Sequence, residues 1–259
     1  SMYRQRENPA YREYPVLATT YLVFNTRAPP LDDWRVRKAL TLAIDRLSIT
    51  ENIVQTGTPA TGFVPMGLPT YDPNLLIDYQ VEEARRLLQE AGYPQGEGFP
   101  VLEYSLSNSD TSREVAEAIQ NMWRVVLGIQ VRLVSSEFRV YLDRLNRGEF
   151  SLGYLAWYGD FVDPYAFLSI VRKTAPSNRS RWSNPQYESL LEDSFYAANS
   201  SRRMELLRQA EVLLMQKVPL APIYWVETSR LVNPDLKGWN PRLLDLHPYQ
   251  YLHFDYAAP

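Results

Sequence analysis

The sequence predicts an α/β fold built on a mixed sheet, and three observations predict it. Amphipathic segments with three–four apolar spacing alternate with short runs rich in β-branched and aromatic residues. Residues 101–134 read as strand, helix, strand, the unit that joins parallel strands through a right-handed crossover. The chain has 259 residues, 45% apolar and 22% charged, which suffices for one large core or two lobes and lies far from the disordered regime.

Taken in order, the first 15 or so residues are polar and Tyr-rich and read as an extended arm. Val16–Asn25 suits a pleated strand, and Pro29–Pro30 stops it. Asp32 or Asp33 can cap a helix with Val36, Ala39, Leu40, Ala43 and Ile44 on one face, and Asp45 a second, shorter one. Gly57–Asp78, with Pro59, Pro65, Pro69 and Pro73, is a long ordered loop. Gln80–Ala91 is an amphipathic helix closed by Gly92. Val101–Leu106 is a strand; Thr111–Leu127 is a helix opened by the capping-box pattern Thr111-x-x-Glu114; Ile129–Val134 is the next strand. Further on come a helix at Phe138–Arg147, a strand at Phe150–Trp157, and helices from Asn184–Pro185 and over Ser201–Met215. Short strands at Ile223–Val226 and Arg230–Val232 lead into an extended tail.

Composition narrows the function. With 27 Lys and Arg against 30 Asp and Glu the formal charge is −3, which argues against a nucleic-acid binder. Cysteine is absent, which removes disulfides, thiol catalysis and Cys-ligated zinc. His247 and His253 stand six apart, a spacing that suits neither helix nor strand ligation, so no metal site and no cofactor are expected. No apolar run approaches the ~20 residues that span a bilayer, and the first residues do not read as a basic-then-apolar signal. Ser1–Met2 reads as an expression scar on a sequence that begins mid-stream. Arg172, Lys173, Arg179 and Arg181 read as a solvated basic loop. Aromatic residues reach 13%, with 18 Tyr and 6 Trp; they either line a ligand surface or share the core.

One segment carries chemistry: Trp157-Tyr158-Gly159-Asp160-Phe161-Val162-Asp163-Pro164, at the C-terminal end of a predicted strand, where open α/β sheets place ligands. Its two acids admit three roles. Asp163 before Pro164 can cap a helix; the two can form a catalytic carboxylate pair on a sugar platform; or Asp160 can be a fixed anion that meets a ligand ammonium among aromatic rings.

The chain resembles the C-terminal part of the periplasmic solute-binding proteins that include the oligopeptide-, dipeptide- and nickel-binding components of ABC importers. The matching residues are Tyr21–Thr26 with Pro29–Pro30, Asp33–Leu40, Ala43–Arg46, Glu83–Tyr93, Trp157–Pro164 and Val218–Tyr224. The resemblance implies a mixed-sheet lobe of a two-lobed fold whose other lobe is largely missing. Residues 1–25 would be arm and first hinge strand, 26–225 the ligand-binding lobe, and 226–259 the second hinge and a remnant of the other lobe. Missing partner strands would leave an exposed edge or apolar surface.

The implied function is capture of peptides or another amine-bearing solute, without catalysis, outside the cytoplasm. The implied partners are that ligand, the missing lobe and ABC permease subunits; membrane contact would come only through the permease or a lipid anchor outside this chain. In peptide-binding members an Asp three residues after a Trp pairs with the peptide ammonium, and Trp157 and Asp160 match that spacing. Tyr154 stands where oligopeptide binders often carry a basic residue for the ligand carboxylate. The expected site is therefore Asp160 with Trp157, Tyr158, Phe161, Tyr154 and Trp182, a sugar stacked on Trp157, Tyr158 and Trp182 being another ligand it could take. The alternatives are a sensory or regulatory module built on the same lobe, and a carbohydrate-active enzyme using Asp160 and Asp163.

Overall fold

The computed structural model describes residues 7–72 and 77–254. Ser1–Met2, the start of the expected arm, Pro73 and the last five residues of the tail lie outside the described residues. Strand β1 (Tyr11–Phe24) begins inside the stretch expected to be an arm, because Tyr11–Pro15 pairs with Leu231–Glu227, a partner more than 200 positions away that local sequence does not reveal. Asp33 caps α1 (Trp34–Leu42) by accepting from the Arg35 N–H, and Asp45 caps α2 (Arg46–Ile49) by accepting from the Ser48 N–H. A two-residue bridge, β2 (Thr58–Pro59), opens the Gly/Pro-rich loop, and α3 (Val81–Glu90) stops ahead of Gly92 at φ +96°.

Strand β3 (Leu102–Ser107), helix α4 (Asp110–Leu127) and strand β4 (Val131–Ser136) form the expected crossover, with β3 and β4 parallel. The cap of α4 is Ser109 and not Thr111. Ser109 has extended backbone and its hydroxyl accepts from the Ser112 N–H, which puts Thr111 inside the first turn. There follow α5 (Phe138–Arg147), β5 (Leu152–Tyr158), the short α6 (Tyr165–Leu168), α7 (Pro185–Asp193) capped by Asn184, and α8 (Ser200–Lys217) capped by Asn199. The two short strands expected near the end are one, β6 (Leu220–Leu231). Pro222 does not end it because it lies at a register irregularity opposite Tyr21, where its missing N–H goes unused. Strands β7 (Leu236–Lys237) and β8 (His253–Phe254) pair apart from the main sheet.

The six main strands run in the order β2-β6-β1-β5-β3-β4, with β1 antiparallel to both neighbours and β3 parallel to β4 and β5. From Val16 onward strand β1 is buried on both faces. Leu22 and Phe24 point to a core shared with α1 to α4, and Tyr21 and Val23 to a second core shared with α5 to α8. The result is three layers, helices on each side of the sheet. Trp123, fully buried, anchors the first core and donates its indole N–H to the Leu40 carbonyl at 2.8 Å; truncating it to Ala removes about 3–5 kcal/mol.

Two buried arginines tie the layers together through backbone carbonyls. Arg37 donates to the Val218 and Lys217 carbonyls at the left-handed end of α8 and to those of Leu31 and Asp32 ahead of α1. Arg46 donates to those of Pro222, Ile44 and Thr41, fixing α1 and α2 to β6. The loop expected to be basic and solvated is instead tied down. Arg172 binds Glu188 at 2.9 Å, Arg179 binds Asn146, and Arg181 the Arg147 carbonyl.

Candidate functional site

The Trp157–Pro164 segment leaves the sheet at the end of β5, and its geometry follows from strand alternation. Leu155 and Trp157 face the second core, whereas Tyr154 faces the first. Tyr158 comes next on the Tyr154 side, beyond the reach of the helices, and is 62% exposed. The Trp157 indole packs on the second core and donates to the Ala166 carbonyl at 2.8 Å, so this ring joins the strand end to α6.

Both ends of the following loop are fixed. The Gly159 N–H donates to the Leu17 carbonyl at 2.8 Å. A Cβ at Gly159 would stand 2.7 Å from Leu17 Cδ2 and 2.9 Å from Phe167 Cε2, so only glycine lets the chain lie this close to β1. At the far end Asp163 Oδ1 accepts from the Tyr165 N–H at 2.9 Å, in keeping with a capping role. The same carboxylate takes both guanidinium N–H groups of Arg203, at 2.6 and 2.9 Å. Between these anchors Asp160, Phe161 and Val162 are exposed, and the Asp160 carboxylate makes no hydrogen bond or ion pair with a described residue.

The structure therefore brings Asp160 together with Tyr158 and Phe161 at an exposed loop tip, with Trp157 behind them. Tyr154 and Trp182 do not join them as open rings. Tyr154 is 8% exposed, its hydroxyl 3.3 Å from that of Tyr224, and burial pushes its pKa well above the ordinary phenol value. Trp182 is equally buried, edge-on to Tyr187 in the second core. Asp160 and Asp163 also do not form a pair of free carboxylates, because both oxygens of Asp163 are engaged. Two-carboxylate glycoside hydrolysis needs both groups available to the sugar.

Beside the loop lies a cavity of about 470 Å³ walled by Val16 and Leu17 of β1, Tyr158 and Gly159, Val226 to Thr228 and Arg230 of β6, and Leu243 to Asp245 of the tail. Its outer wall is fixed by Asp245, which accepts from the Tyr14 hydroxyl at 2.6 Å and pairs with Arg230 at 2.5 Å and His247 at 2.9 Å. Burial and the adjoining Asp245 push the Tyr14 hydroxyl up to about 12. Sequence reading missed Arg203, Arg230 and Asp245, which are joined to Asp163, to each other and to Tyr14 across 40, 15 and 231 positions; no local spacing announces those contacts. Among the described residues no group of three or more His, Asp or Glu could hold a metal ion, and no helix is long and apolar enough to cross a membrane.

Comparison with known proteins adds a family. Residues 2–179 match the profile of the bacterial extracellular solute-binding proteins, family 5, middle region. Oligopeptide-binding protein OppA of Bacillus subtilis is 34% identical over 86% of this chain and 43% of its own length. Periplasmic murein peptide-binding protein MppA of Escherichia coli is 36% identical over 87% of this chain and 43% of its own. Among solved structures, a periplasmic oligopeptide-binding protein of Borrelia burgdorferi superposes with a TM-score of 0.86 at 30% identity, covering 98% of this chain and 52% of that one. The chain thus spans about half the length of the relatives it matches.

Proposed function

From the premise that this chain belongs to the bacterial extracellular solute-binding proteins of family 5, we propose that it is the ligand-holding lobe of an ABC-importer receptor that captures peptides outside the cytoplasm and breaks no bond in them. One observation carries the reading: Asp160 is a carboxylate without a charge partner among the described residues, on a loop fixed at both ends and flanked by the exposed rings of Tyr158 and Phe161. Such a group suits a peptide's α-ammonium. The rings supply contact area and cation–π attraction to the same cation.

The remainder of the ligand would lie extended along the rim of the sheet, bound through its backbone with little regard to side chains. With Tyr154 in the core and no basic side chain three positions before Trp157, this lobe offers nothing there for the ligand's carboxylate. That favours peptides longer than the grip on their first residue. A second lobe closing about the hinge would bury the ligand, and the closed form would be what permease subunits recognise.

Isothermal titration of the complete polypeptide that carries these residues, with trialanine and N-acetyl-trialanine, tests the proposal. Trialanine should bind at least about tenfold more tightly than its acetylated form, and Asp160→Asn should erase that difference by removing a charge-assisted contact of about 1.5–3 kcal/mol. Equal affinity of the native protein for both peptides would overturn the reading.

A further inference from the structure

The Asp160 carboxylate makes no hydrogen bond or ion pair with a described residue, so its place is set by the loop on either side of it. The near anchor is backbone, Gly159 on Leu17. The far anchor is a side-chain pair, Asp163 with Arg203. Arg203 rises from the first turn of α8, just after its Asn199 cap, and the next turns of that helix carry the buried Leu206, Leu207 and Ala210. The base of the clamp is therefore rigid. The contact is fork to fork, with the two side chains only 26% and 22% exposed, so geometry and charge are both well defined.

We infer that Arg203 is the positioning residue of the ammonium-binding loop: through Asp163 it holds Asp160 in place, and it cancels the charge of Asp163 so that the loop presents one free carboxylate instead of two. The inference rests on the reading of Asp160 given above. Its consequence is specific: loss of Arg203 should weaken recognition of the ligand's amine, not binding in general. A loop released at Asp163 lets Asp160 drift from the place where an ammonium meets both the carboxylate and the rings of Tyr158 and Phe161.

The test titrates the complete polypeptide with trialanine and N-acetyl-trialanine, in native form and as Arg203→Met, Arg203→Lys and Asp163→Asn, with unfolding midpoints measured alongside. Arg203→Met should weaken trialanine by about tenfold or more while leaving the acetylated peptide within about twofold, so the preference for a free amine collapses. Arg203→Lys keeps the charge, loses the fork and should fall between. Asp163→Asn can still accept from the Tyr165 N–H and loses the charged clamp without adding a second free carboxylate, so its amine preference should also fall and reads the positioning part alone. If Arg203→Met does not fold, the other two variants decide. Variants that keep the full amine preference, or that weaken both peptides equally, overturn the positioning role. Absence of any amine preference in the native protein overturns the Asp160 reading itself and this inference with it.

Discussion

Glu211 is a buried carboxylate, 1% exposed, with no ion pair to a described residue. It accepts from the Val64 N–H at 2.8 Å and from the Tyr71 hydroxyl, which fastens the long loop after β2 to α8. Burial raises its pKa above the ordinary 4.5, the hydrogen bonds offsetting only part of that. The sign for stability follows directly. A carboxyl whose folded pKa is raised contributes stability that is fully present below its unfolded value and is lost as pH rises through the folded one. Glu211→Gln can keep an acceptor for Val64 and offer an N–H to the Tyr71 oxygen, so it should be close to neutral at pH 4 and progressively more stable than the native protein from pH 4.5 upward. Glu211→Ala leaves buried donors unpaired and should cost about 2–4 kcal/mol at pH 4 and less at pH 7, where the native carboxyl has lost its own linkage contribution. Urea denaturation at pH 4 and pH 7 reads both; a native protein that gains stability on Glu211→Gln equally at the two pH values would contradict the assignment. Sequence gave no hint of this residue, since Glu211 sits in a helix pattern where an acid reads as solvent-facing and its partners are 140 and 147 positions away.

Among elements, the helices were legible and the strand limits were not, for a physical reason. A helix closes its hydrogen bonds within itself, so its periodicity and caps at Asp33, Asp45, Asn184 and Gly148 are all local. A strand's length is set by its neighbour: β1 extends back to Tyr11 and β6 runs through Pro222 because each supplies the other's partner. The exceptions among helices are the four-residue α6, too short for periodicity to show, and α4, where Thr111-x-x-Glu114 mimics a capping box two residues too late. Ser109 has the extended backbone that a cap needs and lies two residues earlier. Ser109→Ala should therefore destabilise by about 1 kcal/mol, and Thr111→Ala, inside the first turn and exposed, by less than about 0.5 kcal/mol. Equilibrium unfolding of the two variants distinguishes the caps, and the opposite ranking would restore Thr111.

At the scale of the whole molecule the sheet has two unequal parts. Residues 19–23 of β1 pair with a strand on each side, but Tyr11–Pro15 have only β6 among the described residues, and the Asp160 loop stands near the boundary through the bond of Gly159 to Leu17. The aromatic surplus divides in the same way: Tyr104, Trp123, Tyr141 and Tyr187 fill the cores, while Tyr158, Tyr249 and Tyr251 are exposed. Composition alone could not make that division, because a ring's side of the sheet depends on register. The family was legible because the residues that carry the resemblance, Arg37 and Arg46 among them, hold backbone carbonyls from distant segments in place. The ligand was less so, since on the proposed reading the exposed Asp160 fixes only the class of group that meets it. On the proposed reading, a peptide on this chain alone gains the ammonium contact and two rings, with no closure and no opposing wall, and must offset the whole loss of translational and rotational freedom with them. The chain covers 43% of the length of relatives such as the Bacillus subtilis protein. Titration of the 259-residue chain with trialanine should accordingly give a dissociation constant no tighter than about 1 mM. Micromolar affinity would mean that a single wall suffices, and capture by closure of two lobes would then lose its physical basis.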